Sequence, residues 1–189
     1  MELWVLVALG VVLLGGYVWY AKIIGKRNRA QEALASIDVQ LRKRHDLVPN
    51  LLKIARRFME HEKDLLEEIT RVRARAVELE GARDAAAAAE KFAVEEQLAA
   101  GLGKLMVQME AYPELRSVEP MTQAQQSFAE VEGNIAAARR FYNSAVTDLR
   151  NAIQIFPGNL IAGLVGVREM PFYEAEEIAR QPVDADAYL

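Results

Sequence analysis

Residues 3–21 read LWVLVALGVVLLGGYVWYA, a run of 19 residues without a charged side chain. This length matches the roughly 20 apolar residues that a helix needs to cross about 30 Å of hydrocarbon. Trp4 lies near one end of the run and Trp19 and Tyr20 lie at the other, where aromatic rings favour the membrane interfaces. A cleaved signal peptide would begin with basic residues and end at a small-residue cleavage site. The run therefore predicts a transmembrane anchor.

Basic residues follow this run directly, at Lys22, Lys26, Arg27 and Arg29. Because cytoplasmic flanks of membrane helices are rich in Lys and Arg, we expect a short N-terminus outside and a cytoplasmic helical domain. The expected location is a bacterial-type inner membrane, crossed once. The lipid bilayer is then a partner, and the basic cluster is expected to contact anionic headgroups. The absence of cysteine agrees with a reducing compartment.

The rest of the chain, about 160 residues, is long enough for one domain with its own core. The formal charge of −4 argues against a general nucleic-acid surface, so no nucleic-acid partner is expected. Strong helix formers dominate, and the apolar-polar alternation typical of strands is nearly absent. We therefore predict an all-α fold: an N-terminal transmembrane helix, then an elongated antiparallel bundle of three long helices plus a short C-terminal helix.

Apolar spacing predicts where the first two helices of the bundle run. From Leu47 to Leu79, apolar residues recur at steps of three, four and seven, as in a single helix of a bundle or coiled coil. Gly81 suits the residue after a helix and Asp84 suits a helix N-cap, so a tight turn between antiparallel helices is expected. The second helix is predicted over residues 85–111.

Two prolines place a loop over residues 112–120, and Thr122 is expected to cap a third helix that ends near Phe156. A last short helix is predicted over residues 172–180. We divide the chain into a transmembrane anchor (1–22), a basic juxtamembrane and helical stalk (23–46), a helical bundle domain (47–180) and a flexible tail (181–189).

Several unusual motifs occur in a fixed order between residues 30 and 175. They are Ser36-Ile37-Asp38-Val39-Gln40-Leu41, Arg44-His45-Asp46-Leu47-Val48-Pro49-Asn50-Leu51, His61-Glu62, Ala111-Tyr112-Pro113-Glu114-Leu115, Glu132, Ile135-Ala136-Ala137-Ala138-Arg139, Tyr142-Asn143 and Phe156-Pro157-Gly158-Asn159-Leu160-Ile161-Ala162. Together they resemble the LemA family.

This resemblance implies a membrane-anchored bundle of long antiparallel helices, with no established enzyme activity and no cofactor. The residues that match its motifs are candidates for interaction sites. They are Asp38, Gln40, Arg44, His45, Asp46, Pro49, Asn50, Glu132, Arg139, Tyr142, Asn143, Pro157 and Asn159.

The residues by themselves favour structural over catalytic roles. On one straight helix, His45 and His61 would lie about 24 Å apart on different faces, so they cannot share a metal ion, and a solvated or locally hydrogen-bonded histidine is expected. Pro49 predicts a kink or a break near Asp46. The pair Glu95-Glu96 is expected on the solvent-exposed face of its helix. With no nucleophile, acid-base pair or metal cluster evident, we expect a protein that is not an enzyme.

Helix lengths raise a question about the stalk. If one helix climbs from residue 30 to residue 80, a second helix of about 27 residues returns only to Leu51 or Leu52. The apolar residues of the stalk then need a cover: a loop, the C-terminal segment or stalks from other copies, of which the last would give a homo-oligomer. The third helix would deliver the apolar segment 160–167 to the distal tip, for self-association, docking or folding back onto the bundle.

These observations lead to a hypothesis about function. The expected protein is a non-enzymatic membrane-anchored scaffold or adaptor that self-associates and docks partners through its helical bundle. The alternatives are a regulatory subunit of a membrane enzyme such as a protease, and a membrane-remodelling coiled-coil protein. A membrane protein partner is thus expected if the protein is a scaffold or adaptor, or if it is a regulatory subunit.

Overall fold

A computed structural model describes residues 2–59, 61–81, 85–116 and 119–173. Within these ranges the chain forms helices and no strand, so the predicted all-α class is confirmed. The helices are α1 (Glu2–Ala55), α2 (Lys63–Glu78), α3 (Ala85–Met109), α4 (Pro113–Arg116), α5 (Glu119–Gln154) and α6 (Gly158–Val165).

Helix α1 passes without interruption from the apolar run through the basic stalk into the domain. Its N-terminal part is long and apolar enough to cross a membrane, and no residue of the most apolar stretch is buried by the rest of the described chain. Leu3 and Leu14 are 71% and 65% exposed, for example. The apolar run and the domain therefore share one helix with no linker between them.

Of the kink or break predicted near Asp46, the break does not occur, because α1 continues through Pro49 to Ala55. A proline in a helix leaves the carbonyl four residues earlier without its usual N–H donor. Here that carbonyl belongs to His45, and the Nε of Arg73 in α2 donates a hydrogen bond to it at 2.8 Å. Pro49 itself is exposed, so its ring displaces no neighbouring helix.

The single helix predicted from Leu47 to Leu79 is also wrong, because the chain turns between α1 and α2. The amides of Arg57 and Phe58 bond to carbonyls three residues earlier, at 3.1 and 3.0 Å, and tighten the end of α1. Met59 then turns inward and is buried. Helix α2 runs back beside α1, and so the straight-helix distance between His45 and His61 does not apply.

The other helix boundaries follow the predictions with local differences. Helix α3 nearly matches the predicted second helix, and Gly81 before it has a φ of +80°, as a residue after a helix end requires. Helix α5 starts before Thr122, because Pro120 fits the first turn of a helix, where its missing N–H is not needed. Phe172 and Tyr173 are not helical, contrary to prediction. Asp84 and residues 174–189 lie outside the described residues.

Helix α5 covers the stalk. It runs antiparallel to α1, with Asp148 2.5 Å from Lys26 and Glu132 3.1 Å from Arg44. We inferred that the second helix leaves the stalk uncovered and that a loop, the C-terminal segment or other copies cover it. The main cover is instead the third long helix, α5, and residues 167–173 add to it. The inference assumed one long hairpin, whereas the turn after Ala55 adds a further pair of helices and lets α5 return along the whole stalk.

The same reversal moves the apolar segment 160–167. Because α5 runs back toward the apolar run, α6 lies beside the start of the stalk. The predicted position of segment 160–167 at the distal tip is therefore wrong. A Cβ atom added to Gly158 would lie 3.7 Å from Cε3 of Trp19 and 1.9 Å from the carbonyl oxygen of Ala152. Glycine is thus required at the point where α6 approaches α5 and α1.

The buried apolar residues form two separate clusters along α1. The proximal core, nearer the apolar run, joins the stalk to α5, α6 and residues 167–173. The distal core joins the end of α1 to α2, α3 and α4. The main members of the first are Ile23, Ile37, Leu41, Phe92, Ile135, Tyr142, Leu149 and Tyr173, and those of the second are Val48, Leu51, Met59, Leu66, Ile69, Leu98, Leu102, Leu105 and Met109.

Candidate functional site: a buried charged layer

Charged side chains separate the two cores. We call the set Arg44, His45, Glu80, Glu95 and Glu132 the charged layer. In the buried stripe of α1, Arg44 and His45 lie between the last residue of the proximal core and the first residue of the distal core. Helical spacing therefore turns their side chains inward. Helix α3 supplies Glu95, α5 supplies Glu132 and the turn after α2 supplies Glu80. Four segments of the chain therefore meet at this level.

Arg44 is fully buried and connects three helices. Its Nη2 donates to the carboxylate of Glu95 and, at 3.0 Å, to the backbone carbonyl of the same residue. Its Nη1 donates to Oε1 of Glu132 at 3.1 Å. Since a guanidinium presents donors in a fixed planar arrangement, these contacts define how α3 and α5 sit against α1.

His45 lies between two carboxylates. Its Nε2 is 2.8 Å from Oε1 of Glu95 and its Nδ1 is 3.0 Å from Oε1 of Glu80. Burial by itself lowers the pKa of His45, but the hydrogen bonds and charge of Glu95 and the hydrogen bond to Glu80 outweigh it, so this pKa is raised. Both ring nitrogens donate only when the ring is protonated, and this geometry favours the imidazolium.

The two carboxylates shift in the opposite direction. Burial raises the pKa of Glu95, but the hydrogen bond from His45 and the charge of Arg44 more than compensate, and the pKa is lowered. The hydrogen bond from His45 is the main cause of the lowered pKa of Glu80. Every charged member of the layer thus contacts at least one member of opposite charge, which is what burial of charged groups requires.

A second ion pair, in which Lys91 is buried and Asp38 is partly exposed, lies closer to the apolar run. Lys91 of α3 is 2% exposed, and its Nζ is 2.5 Å from Oδ1 of Asp38 on α1. The aliphatic part of the Lys91 side chain is thus buried, and its ammonium group is paired with a carboxylate. Together with the charged layer, this pair fixes the register between α1 and α3.

Three candidate residues of α5 hold residues 167–173, which we call the C-terminal strap. Asn143 and the backbone of Tyr173 exchange two hydrogen bonds, each 2.9 Å long. The hydroxyl of Tyr142 donates to the carbonyl of Pro171 at 2.7 Å. Arg139 donates to the Tyr173 hydroxyl at 2.9 Å. The strap is therefore fastened to α5 at Pro171 and at Tyr173.

Burial acts on the two tyrosines that meet at the strap. It raises the pKa of Tyr142 to about 12 and that of Tyr173 to about 12. Both rings pack against Phe92 of α3, with ring centroids 5.9 and 4.1 Å away. Both hydroxyls therefore stay protonated at neutral pH and act as hydrogen-bonding groups, not as bases.

The other candidate residues lie elsewhere. Gln40 is half-buried, while Asp46, Pro49 and Asn50 are exposed on the outer side of α1. Asp46 does not contact either ring nitrogen of His45, whose partners are glutamates from other segments. Pro157 and Asn159 lie at α6, beyond the proximal core, where Oδ1 of Asn159 accepts from the amide of Leu160 at 2.9 Å.

Sequence reasoning missed Glu80, Glu95, Lys91 and Tyr173. The expectation that Glu95 lies on a solvent-exposed face is wrong, since it is fully buried. One signal was available: two charged residues interrupt an otherwise apolar stripe between Leu41 and Val48, and a charge in a stripe requires an opposite charge from another helix. The sequence did not indicate which helix supplies it.

The members of the charged layer bond to one another. Arg44, His45 and Glu95 are buried, whereas Glu80 and Glu132 are partly exposed. Among the described ranges, no group of three or more His, Asp or Glu side chains is placed to hold a metal ion. Shallow grooves do occur at the distal end, where Arg57 borders two of them. One is lined by Asn50, Ile54, Pro120 and Ser127 and the other by Phe58, Ala111, Tyr112 and Pro113.

Comparison with known proteins places the chain in a family. The sequence profile described as the LemA family matches residues 33–186. The chain is also similar to the magnetosome proteins MamQ 2 and MamQ 1 of Paramagnetospirillum magneticum, each 29% identical over 82 residues. The match covers 43% of this chain but 30% of each relative. Because the family profile matches most of the chain, the predicted resemblance is confirmed, and the protein belongs to the LemA family.

Proposed function

We propose that the protein is a non-enzymatic, membrane-anchored scaffold that holds a docking surface at a fixed distance from the bilayer. The observation that carries this proposal is the continuity of α1 from the apolar run to Ala55. From Lys22 to Ala55 a helix rises by about 50 Å. Helix α5 packs along the same length, so the distal end is connected to the membrane by paired helices and not by a flexible linker.

The buried polar groups support a structural role. The charged layer and the C-terminal strap tie α1, α3 and α5 to one another, and their groups are used in contacts within the chain. A catalytic site needs groups that reach a substrate. The family is likewise not known as a family of enzymes.

The distal grooves are the proposed docking surface. They combine exposed basic side chains, Lys53 and Arg57, with apolar lining from Ile54, Phe58 and Tyr112. Tyr112 also belongs to one of the motifs by which the chain resembles its family. The expected partner is a membrane protein, a membrane enzyme such as a protease included. Self-association would use surfaces other than the stalk, because α5 covers the stalk.

The sidedness of the domain is part of the proposal. The basic residues at 22–29 follow the apolar run directly, and this favours a cytoplasmic domain on a bacterial-type inner membrane. A partner would then meet the distal grooves from the cytoplasmic side.

Affinity purification of the full-length chain from mild-detergent extracts tests this proposal. We expect a partner at fixed stoichiometry, identified by mass spectrometry and light scattering, that is lost in the double variant Lys53→Glu, Arg57→Glu. Lys104→Glu is the matched control, because Lys104 is exposed on α3 away from these grooves. Equal recovery of the partner with the unmodified chain, the double variant and the control would contradict the proposal. The absence of a stoichiometric partner from all three would also contradict it.

A further inference from the structure

A second uncharged stretch lies near the apolar run of α1. Residues 151–167 contain no charged side chain. They comprise the end of α5, a short turn and α6, followed by a chain reversal at Gly166, which has a φ of +67°. Arg150 and Glu169, on either side of this stretch, pair with each other at 2.8 Å. The uncharged stretch is therefore a loop that is closed by an ion pair at its base.

The depth of this loop follows from helix geometry. Antiparallel helices advance by the same 1.5 Å per residue, and Asp148 pairs with Lys26, so Gln154 at the end of α5 lies near the level of Tyr20. Gly158 is in reach of the Trp19 ring, as noted above. The loop thus projects past the basic residues of the stalk to the last turn of the apolar run.

Its outer face is apolar and uncovered. Leu160 is 60% exposed and Leu164 87%, and their spacing of four positions puts them on one side of α6. Phe156, in the turn before α6, is 73% exposed. Gly158 and Ala162 on the opposite side are buried against α1 and α5. Domain packing therefore uses the small residues of α6 and leaves the large ones facing outward.

The surroundings identify what covers this face. It is continuous with the exposed apolar surface of the candidate span, and it begins at the level of Trp19. The Nζ of Lys22 lies 4.5 Å above the Trp19 ring, in the arrangement expected where a helix leaves the hydrocarbon for the headgroups. A short apolar helix at that level fits the boundary between headgroups and acyl chains.

We propose that α6, with Phe156 before it, lies in the interfacial region of the bilayer that α1 enters, as a second membrane contact. Insertion at two points about the axis of α1 fixes the tilt and rotation of the domain relative to the bilayer. A single helix in lipid would leave its rotation free. This proposal rests on the anchor and not on the docking of partners.

Single-cysteine labelling of the full-length chain tests the proposal, because the chain has no cysteine of its own. Cysteines would be placed at Leu160 and Leu164, and an environment-sensitive fluorophore attached. The protein would be reconstituted in phosphatidylcholine–phosphatidylglycerol vesicles that contain lipids with nitroxide-labelled acyl chains. A label at Tyr17 in the apolar run is the positive control. A label at Val107, which is 69% exposed on α3, is the matched control in water.

We expect labels at Leu160 and Leu164 to be quenched to an extent comparable with Tyr17 and several-fold more than Val107, with a blue-shifted emission. Quenching equal to that at Val107 would overturn the proposal. A blue shift without quenching would also overturn it, since it would show that a protein surface, from a second copy or a partner, covers α6. Quenching at Tyr17 verifies the anchor separately in each sample.

Discussion

The two halves of the domain are assembled differently on the same helix. The proximal core joins residues far apart in sequence, as in the pair Lys26–Asp148, which are separated by 122 positions. The distal core is built largely by α2 and α3, which follow α1 directly, and Arg56 there contacts Thr70 only 14 positions later. Contacts between close positions cost less loop-closure entropy. The distal half can therefore form locally, whereas the proximal half requires the whole chain.

The charged layer lies at the boundary of these halves and belongs to neither core. A buried ion pair adds little net stability compared with apolar packing, but the loss of one partner is costly. The layer therefore aligns the two halves more than it strengthens either. Substitutions can test this in order of expected effect.

Glu95→Ala is expected to have the largest effect. It leaves Arg44 charged, buried and without its main partner, and such losses lower the free energy of unfolding by about 3–5 kcal/mol. Denaturant unfolding in detergent micelles, followed by helical circular dichroism, measures it. Glu90→Ala is the control, because Glu90 lies on the same helix in a surface ion pair with Arg75. Similar losses in both variants would mean that Arg44 does not depend on Glu95.

Core truncations distinguish the two halves. Leu149→Ala opens a cavity in the proximal core and Leu105→Ala one in the distal core, and each is expected to cost about 2–5 kcal/mol. Hydrogen exchange should accelerate mainly in α5 and the strap for the first, and mainly in α2 and α3 for the second. Val107→Ala on the exposed side of α3 is the control. Identical exchange patterns for both truncations would show that the halves unfold as one unit.

Local sequence patterns predicted part of this architecture. The apolar run, the all-α class and the bounds of α3 depend on periodicity within one segment, and these were recovered. The turn after Ala55 was missed because neither Gly nor Pro occurs between Arg56 and Lys63, and because the apolar stripe resumes in phase on α2. Without that turn, the predicted direction of α5 is opposite to the one in the structure, and α6 is predicted at the wrong end of the domain.

The candidate site depended on pairings that no local pattern contains. Arg44 and His45 were singled out by their motif, but Glu95, their shared partner, is 50 or more positions away. On its own helix Glu95 stands beside Glu96 like any solvated carboxylate. Its burial is a property of three helices together, which the spacing along a single helix does not reveal.

The contact between Arg73 and the His45 carbonyl fastens the distal half to α1. Arg73→Leu should lower the free energy of unfolding by about 1.5 kcal/mol, the lower end for hydrogen bonds to charged groups, because Arg73 is half-exposed. In a Pro49→Ala background the cost should shrink, since an alanine at this position has the backbone N–H that proline lacks. A double-mutant cycle measures this coupling. Equal costs in both backgrounds would show that the His45 carbonyl does not need Arg73.

The smallest expected effect is the pH dependence of the stability that the charged layer contributes. Since the folded-state pKa of His45 is raised, its contribution to stability is complete below its ordinary pKa of about 6.5 and is lost as the pH rises through the folded-state value. The lowered pKa values of Glu80 and Glu95 act oppositely, and their contribution is lost in acid. The layer is thus most stabilising between these ranges.

His45→Gln should flatten the alkaline decline in stability, measured as the midpoint of unfolding at a series of pH values. Arg44, Glu80 and Glu95 all face the ring, and Arg73 bonds only to the backbone of His45. Glu80→Gln removes one of the two carboxylates, so it should move the decline to lower pH without abolishing it. An alkaline decline that persists unchanged in His45→Gln would assign the pH dependence to groups outside the layer, and the boundary between the halves would then be insensitive to this proton.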